Sequence, residues 1–320
     1  MESLNNLINQ TIESIDWNKR PENLYQPIEY ILSQGGKRIR PNLCLMACQM
    51  FGGQTQEALI PAIAFEMLHN FTLIHDDIMD KAALRRGKET IYKKWNTNIA
   101  ILSGDALFAK AFEYLLSYQG NGKEDLLRLL TKTSIEICEG QQYDLDFEQC
   151  EHVDIEQYLN MIRLKTSVML AACLQAGAIV AKADHNAQNL IYQFGIKIGL
   201  AFQIQDDFLD VYADVKKFGK QVGGDIAENK KTYMLLQLMN STDTQDKQLL
   251  YHYMNDNLDK EDKYVKVKAL YDKYQIGDMA NQVINTYFEE ALKFLTQINV
   301  PEDNKNDLLH FANKLMNRDY

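Results

Sequence analysis

Five prolines stand in this chain of 320 residues, at positions 21, 27, 41, 61 and 301, and none lies between Ala62 and Val300. Proline lacks the N–H that an interior helical residue needs, and its ring strikes the carbonyl one turn back. A long proline-free interval rich in Ala, Leu, Ile, Met, Gln, Glu and Lys is what packed helices tolerate best. Apolar spacing agrees. Leu4, Leu7, Ile8, Ile12 and Ile15 predict an amphipathic first helix. Leu126, Leu127, Leu129, Leu130, Ile135 and Ile137 repeat the theme, as do Tyr264, Val267, Leu270, Tyr271 and Tyr274. No alternating strand pattern closed by an Asn-Gly or Asp-Gly turn is found. Helix ends are predicted at Gly35-Gly36, Gly52-Gly53, Gly87, Gly120-Asn121-Gly122, Gly219 to Gly224 and Gly277-Asp278. The polar stretch from Ser241 to Glu261 is predicted as a peripheral helical hairpin, because the helical pattern returns directly after it. The expectation is an all-α fold, one domain over residues 1–320, with long buried central helices.

An apolar fraction of 46% is ample for a sizeable core. The net charge of −10, with no basic tract standing out, argues against nucleic acid as a partner. The five cysteines include no CxxC pair, and the odd count reads as reduced thiols of a cytoplasmic protein, mostly buried. Cys44 and Cys48 lie one helical turn apart and are expected to share a packed face. The N-terminal residues lack the basic and apolar regions of a secretory signal. No run of eighteen apolar residues occurs, so no transmembrane segment is expected and the chain reads as soluble.

Chemistry enters with the carboxylates. The pattern Asp-Asp-x-x-Asp occurs twice, 130 positions apart, as Asp76-Asp77-Ile78-Met79-Asp80 and Asp206-Asp207-Phe208-Leu209-Asp210. Both copies follow apolar stretches, where carboxylates repel one another and resist desolvation unless cations sit among them. Oxygen donors without matching Lys or Arg in the same segments point to hard divalent metals. On a helix, Asp76, Asp80 and Asp77 project at about 0°, 40° and 100°, one shared face, and the second copy repeats this. Two such clusters imply a metal-bridged, highly anionic ligand.

Six blocks in order carry a family resemblance: Gly35-Gly36-Lys37-Arg38-Ile39-Arg40-Pro41; Glu66-Met67-Leu68-His69 running into Asp76–Asp80; Leu84-Arg85-Arg86-Gly87; Lys165-Thr166; Phe202 to Asp210; and Gly219-Lys220, Gly223-Gly224-Asp225 and Asn229-Lys230-Lys231. The chain resembles the head-to-tail trans-isoprenyl diphosphate synthases, the polyprenyl synthetase family, of the short-chain type that makes geranylgeranyl or farnesyl diphosphate. The resemblance implies the isoprenoid synthase fold, a bundle of long helices around a central apolar cavity. It implies condensation of isopentenyl diphosphate with an allylic diphosphate (dimethylallyl, geranyl or farnesyl) by ionisation, condensation and elimination. Breaking the allylic C–O bond leaves a carbocation and a departing diphosphate, whose charge must be neutralised in the transition state. Mg²⁺ suits that task, and about three ions per site would balance the charges.

The resemblance also distributes roles. Asp76, Asp80 and Asp206 are expected to ligate metal, with Asp77, Asp207 and Asp210 acting through water or from behind. Arg85, Lys165, Lys220 and Lys230 are expected on the allylic diphosphate. Lys37, Arg40, His69 and Arg86 are expected on isopentenyl diphosphate, with Arg318 a further candidate. That second diphosphate receives no metal and needs Arg forks and a Lys charge instead. Thr166 and Gln205 are flank groups whose dipoles face the cation, or else capping and packing groups. Gln141 and Asp144 belong to another family element with no role assigned. The departing diphosphate, rather than His75 or Tyr143, is expected to accept the released proton.

Product length is expected to be set at Phe71 and Thr72, five and four residues before the first Asp, with geranylgeranyl (C20) ahead of farnesyl (C15). The competing readings are a longer-chain synthase, a terpene cyclase and a non-catalytic subunit of a heteromeric synthase. A cyclase would show Asn/Asp-x-x-Ser/Thr-x-x-x-Glu at the second site, and a silent subunit would have lost Asp or Lys from the motifs. A cytoplasmic homodimer is implied as well.

Overall fold

The computed structural model describes residues 2–213, 222–255 and 258–316, and these are almost entirely helical. In chain order the first helices are α1 (Glu2–Glu13), α2 (Glu22–Ser33), α3 (Ile39–Met50), α4 (Thr55–Met79), α5 (Ile91–Lys94) and α6 (Thr97–Leu116). They are followed by α7 (Lys123–Gln149), α8 (Ile155–Ile162), α9 (Val168–Val180) and α10 (His185–Tyr212). The remainder are α11 (Gly224–Ala227), α12 (Tyr233–Ser241), α13 (Thr244–Asn255), α14 (Lys260–Lys273), α15 (Ile276–Thr296) and α16 (Glu302–Met316). The polar stretch from Ser241 yields α13 and the start of α14, two helices in contact with each other.

Local chemistry explains several boundaries. Asn96 opens α6 by accepting the Ile99 N–H at 2.9 Å. Asp154 and Gln157 form a reciprocal capping box at the start of α8. Pro27 and Pro61 lie inside α2 and α4, each in the second turn and each buried. One feature departs from the strand-free expectation. Leu84–Arg85 (β1) and Lys88–Glu89 (β2) pair antiparallel, Leu84 opposite Glu89 and Arg85 opposite Lys88. Their turn is Arg86-Gly87, both at positive φ (54° and 75°), the backbone that two-residue hairpins require and that Asn-Gly usually supplies.

The chain divides into two compact units. The first comprises Met1–Ser134, Met169–Tyr192 and Ile298–Leu308, and the second Ile135–Val168, Gln193–Gln297 and Leu309–Tyr320. In the first, α4 packs against α3 and α6, burying Cys44, Ala47, Cys48, Phe65 and Leu68 completely. Cys44 and Cys48 thus share the packed face, whereas Cys138 and Cys150 are exposed. In the second unit, Tyr158, Ile204, Met234 and Tyr271 are buried. Two helical stretches, Thr55–Met79 and Ile155–Val180, are long and apolar enough to cross a membrane by length and composition. Their most apolar windows are 67% and 78% buried inside the fold, which marks both as core helices here.

Candidate active site

The first unit carries a cationic cavity. Gly36, Lys37, Arg38, Ile39, Arg40, Glu66, His69 and Arg86 line a space of about 320 Å³. Arg40 Nη1 lies 3.0 Å from His69 Nε2. Arginine only donates, so Nε2 accepts and the imidazole proton sits on Nδ1. Burial first, then Arg40, Arg86 and Arg85, hold the His69 pKa well below its ordinary value, so the ring is neutral. The Arg86 guanidinium donates to the Gly35 carbonyl, joining the hairpin to the loop that carries Lys37.

Arg38 has a different task from its neighbours. It is buried at φ 47°, donating through Nε to Asn9 (3.1 Å), through Nη1 to Glu66 (2.7 Å) and through Nη2 to the Leu32 carbonyl (2.6 Å). One side chain thereby ties α1, α2 and α4 to the loop and neutralises the carboxylate that borders the cavity. Removing either partner of such a pair leaves an uncompensated buried charge, a loss of about 3–5 kcal/mol. A Lys-Arg-x-Arg string in sequence does not reveal which cation turns inward.

At the end of α4 the first aspartate motif splits. Asp77 is buried and accepts from Arg85 Nε at 2.7 Å, while Asp76 is partly exposed and Asp80 exposed. Burial raises the Asp77 pKa, against the pull of Arg85. Arg85, expected on the allylic diphosphate, thus holds the motif's middle carboxylate. Phe71 stacks edge-on to His75 (4.7 Å between centroids) and lies 5.0 Å from Phe108 of α6, which meets Phe112 at 5.1 Å. The Thr72 hydroxyl donates to the His69 carbonyl at 2.8 Å.

The second unit repeats the division. Asp207 is buried, and its Oδ2 accepts from the Tyr158 hydroxyl and from the Tyr233 N–H at 3.0 Å. Burial, reinforced by Asp225, pushes the Asp207 pKa up to about 7. Asp206 and Asp210 are partly exposed, and Asp210 Oδ2 accepts the Asp225 N–H at 3.0 Å. Burial raises Asp225 to about 6, against Lys230, whose Nζ lies 3.9 Å away. Lys231 instead donates to the Phe147 and Cys150 carbonyls at the end of α7. Lys220, Gly219 and Arg318 lie outside the described residues.

Lys165 and Thr166 sit in a π-helical turn, Arg163–Ser167, between α8 and α9. Such turns concentrate at functional sites, because the extra residue redirects side chains out of the regular helical register. Lys165 Nζ pairs with Asp144 of α7 at 2.5 Å, and the Thr166 hydroxyl meets Gln203 at 3.1 Å. Two glycines make room for the turn. A Cβ on Gly140 of α7 would lie 2.4 Å from the Lys165 nitrogen, and one on Gly199 of α10 would lie 2.6 Å from Ser167 Cα. Gln205 donates to the Met316 carbonyl at 2.6 Å, and its buried Oε1 has no hydrogen-bond partner among the described residues.

Among the described residues, no group of three or more His, Cys, Asp or Glu is arranged to hold a metal ion. The carboxylates left accessible come in pairs, Asp76 with Asp80 and Asp206 with Asp210. An all-oxygen donor set of one or two carboxylates per ion suits Mg²⁺, which keeps several waters and shares its remaining positions with substrate phosphates.

Comparison with known proteins bears on the same elements. A family model described as Polyprenyl synthetase matches residues 21–272. The short chain isoprenyl diphosphate synthase of Methanocaldococcus jannaschii is 41% identical over 232 residues, 72% of this chain and 71% of that protein. The geranylgeranyl pyrophosphate synthase of Geoglobus acetivorans is 35% identical over 317 residues, 98% of this chain and 97% of the relative. A crystal structure of a geranylgeranyl pyrophosphate synthase superposes with a TM-score of 0.94 at 40% identity, covering 100% of this chain and 99% of that one.

Proposed function

This chain belongs to the polyprenyl synthetase family, and from that membership we propose that it condenses isopentenyl diphosphate head to tail with an allylic diphosphate to give geranylgeranyl diphosphate. It is a prenyltransferase. The observation that carries the reading beyond family likeness is the shared division of the two aspartate motifs. In each, the second Asp is buried and gripped from behind, by Arg85 or by Tyr158 and the Tyr233 N–H, while the first and last stay accessible. A fixed middle carboxylate sets the rotation of its helix turn and so aims its two neighbours.

In this reading Asp76, Asp80, Asp206 and Asp210 hold Mg²⁺, with Asp77 and Asp207 behind them. When bound, about three Mg²⁺ supply charge neutralisation for the departing diphosphate. Lys165, kept in place by Asp144 and the π turn, adds a cation to the allylic diphosphate, and the family resemblance assigns Lys220 and Lys230 to the same group. Lys37, Arg40 and Arg86 grip isopentenyl diphosphate, and neutral His69 adds a directed donor without a second full charge. Thr166 and Gln205 Oε1, which has no hydrogen-bond partner among the described residues, offer partial negative charge to the developing cation. No side-chain base is required, since the leaving diphosphate takes the proton lost on elimination. Phe71, backed by Phe108 and Phe112, limits the growing chain, and Thr72 leaves room beside it. A cytoplasmic homodimer with one catalytic domain per chain completes the proposal, supported by the sequence resemblance.

The test is one incubation series with Mg²⁺, isopentenyl diphosphate and dimethylallyl, geranyl or farnesyl diphosphate in turn. Elongated diphosphates ending at C20 are expected. Hydrocarbon products would make the chain a cyclase, and silence relieved by a second protein would make it a subunit.

A further inference from the structure

The segment from Met79 to Trp95 runs against the charge of the chain as a whole. It holds six basic residues (Lys81, Arg85, Arg86, Lys88, Lys93 and Lys94) against two acidic ones, Asp80 and Glu89, in a protein of net charge −10. The intervening neutral and acidic residues break the run in sequence, which is why no basic tract stands out there. The β1–β2 hairpin and α5 gather it. Tyr30 of α2 is their common anchor: its hydroxyl donates to the Glu89 carbonyl at 2.9 Å, Trp95 meets its ring edge-on at 5.3 Å, and Lys94 Nζ lies 3.9 Å from its centroid.

The composition of this lobe is that of an interfacial surface. Lys81, Lys88, Lys93 and Lys94 are exposed, and Trp95 is half-buried. Leu84 on the hairpin is 62% exposed and Met79 at the end of α4 is 45% exposed. Basic side chains collect at anionic headgroups, Trp and Tyr settle at headgroup depth, and an exposed aliphatic group enters the acyl boundary. We propose that this lobe docks the protein on anionic phospholipid surfaces, as a peripheral contact rather than a span. Charge complementarity selects that partner. The rest of this acidic chain is repelled by the same leaflet, so contact is confined to the lobe and orients the molecule. Docking holds the Asp80 end of α4 near lipid. The proposal is independent of the condensation reading, since it rests on surface charge and exposure alone.

Sedimentation with vesicles tests it, using phosphatidylcholine alone or mixed with phosphatidylglycerol, at low and high salt. The native chain is expected to bind the mixed vesicles at low salt, to be released by high salt, and to ignore pure phosphatidylcholine. Each basic residue near an anionic leaflet is worth roughly a factor of five. The double variant Lys88→Glu/Lys93→Glu therefore binds at least roughly 25-fold more weakly by the same count, with an unchanged melting temperature and an unchanged condensation rate without vesicles. Leu84→Ser weakens binding further without altering its salt dependence. Equal binding to both vesicle types, binding to neither, or native-level binding by the double variant overturns the proposal. The last result, if joined to a changed oligomeric state, assigns the lobe to a protein contact.

Discussion

Replacing Gly140 by alanine sets two effects of opposite sign against each other. Alanine inside α7 is favoured over glycine by about 1 kcal/mol through helix propensity alone. The new Cβ, however, would stand 2.4 Å from the Lys165 nitrogen and 2.8 Å from both Leu164 C and Lys165 Cα, where ordinary contact begins at 3.4 Å. All three are backbone atoms of the π turn, so no rotamer change relieves the overlap and α7 must withdraw by about 1 Å. Overpacking of this kind costs about 1–3 kcal/mol. The net expectation is a loss of about 1 kcal/mol, a drop of only a few degrees in melting temperature. Activity should suffer far more. Asp144, which holds Lys165, lies one turn along the same α7, so the withdrawal pulls Lys165 out of place. A 1 Å misplacement of a positioning group costs about 100-fold in rate. Steady-state kcat/KM for the allylic substrate and thermal melting, measured on the same preparation, check both halves. A variant that melts higher than the native protein and keeps native kcat/KM would refute the close approach of α7 to the π turn.

Other outcomes follow from the same geometry. Phe71→Ala should lengthen the product by at least one five-carbon unit on chromatography, since the ring that stands in front of Phe108 and Phe112 is then gone. Asp76→Asn should lower turnover by about 100-fold or more with unchanged circular dichroism, in line with the loss of one transition-state charge contact. The His69 pKa lies below its unfolded value, so the neutral ring contributes stability that is present above pH 6.5 and lost as pH falls towards the folded value. Urea unfolding below pH 6.5 should therefore weaken the native protein more steeply than His69→Gln. Tyr158→Phe should raise the Mg²⁺ concentration needed for half-maximal rate several-fold while leaving the KM for isopentenyl diphosphate unchanged.

Much of this was legible in the chain and the remainder has identifiable physical reasons. The proline gap and the three-and-four spacing predicted the helices, because both express backbone requirements that act locally. The two Asp-x-x-x-Asp pairs, Asp76 with Asp80 and Asp206 with Asp210, could be read from helical angle alone. That Asp77 and Asp207 turn inward could not, because their partners Arg85, Tyr158 and Tyr233 are brought to them by other elements. The same holds for Arg38, which borders the cavity with Lys37 and Arg40 but turns its guanidinium to Asn9, Glu66 and the Leu32 carbonyl, partners that other elements bring to it. The hairpin carries no strong sequence signal, because Arg86-Gly87 supplies the turn where Asn-Gly or Asp-Gly is the usual mark. Gly140 and Gly199 gave no warning either: a glycine required for the approach of another backbone looks in sequence like any weak point in a helix. Lys165 and Thr166 were recognisable by resemblance, but nothing local signalled the π turn that carries them.

In the proposed reaction this protein extends an allylic diphosphate to a C20 diphosphate. Labelled isopentenyl diphosphate incubated with farnesyl diphosphate, Mg²⁺ and the purified chain, followed by phosphatase treatment and reversed-phase chromatography, tests it directly. Label in geranylgeraniol, lost when Mg²⁺ is chelated, is the result expected. Label that stays in isopentenyl diphosphate would rule out C20 synthesis, and product formed without Mg²⁺ would rule out the metal role of the two aspartate motifs.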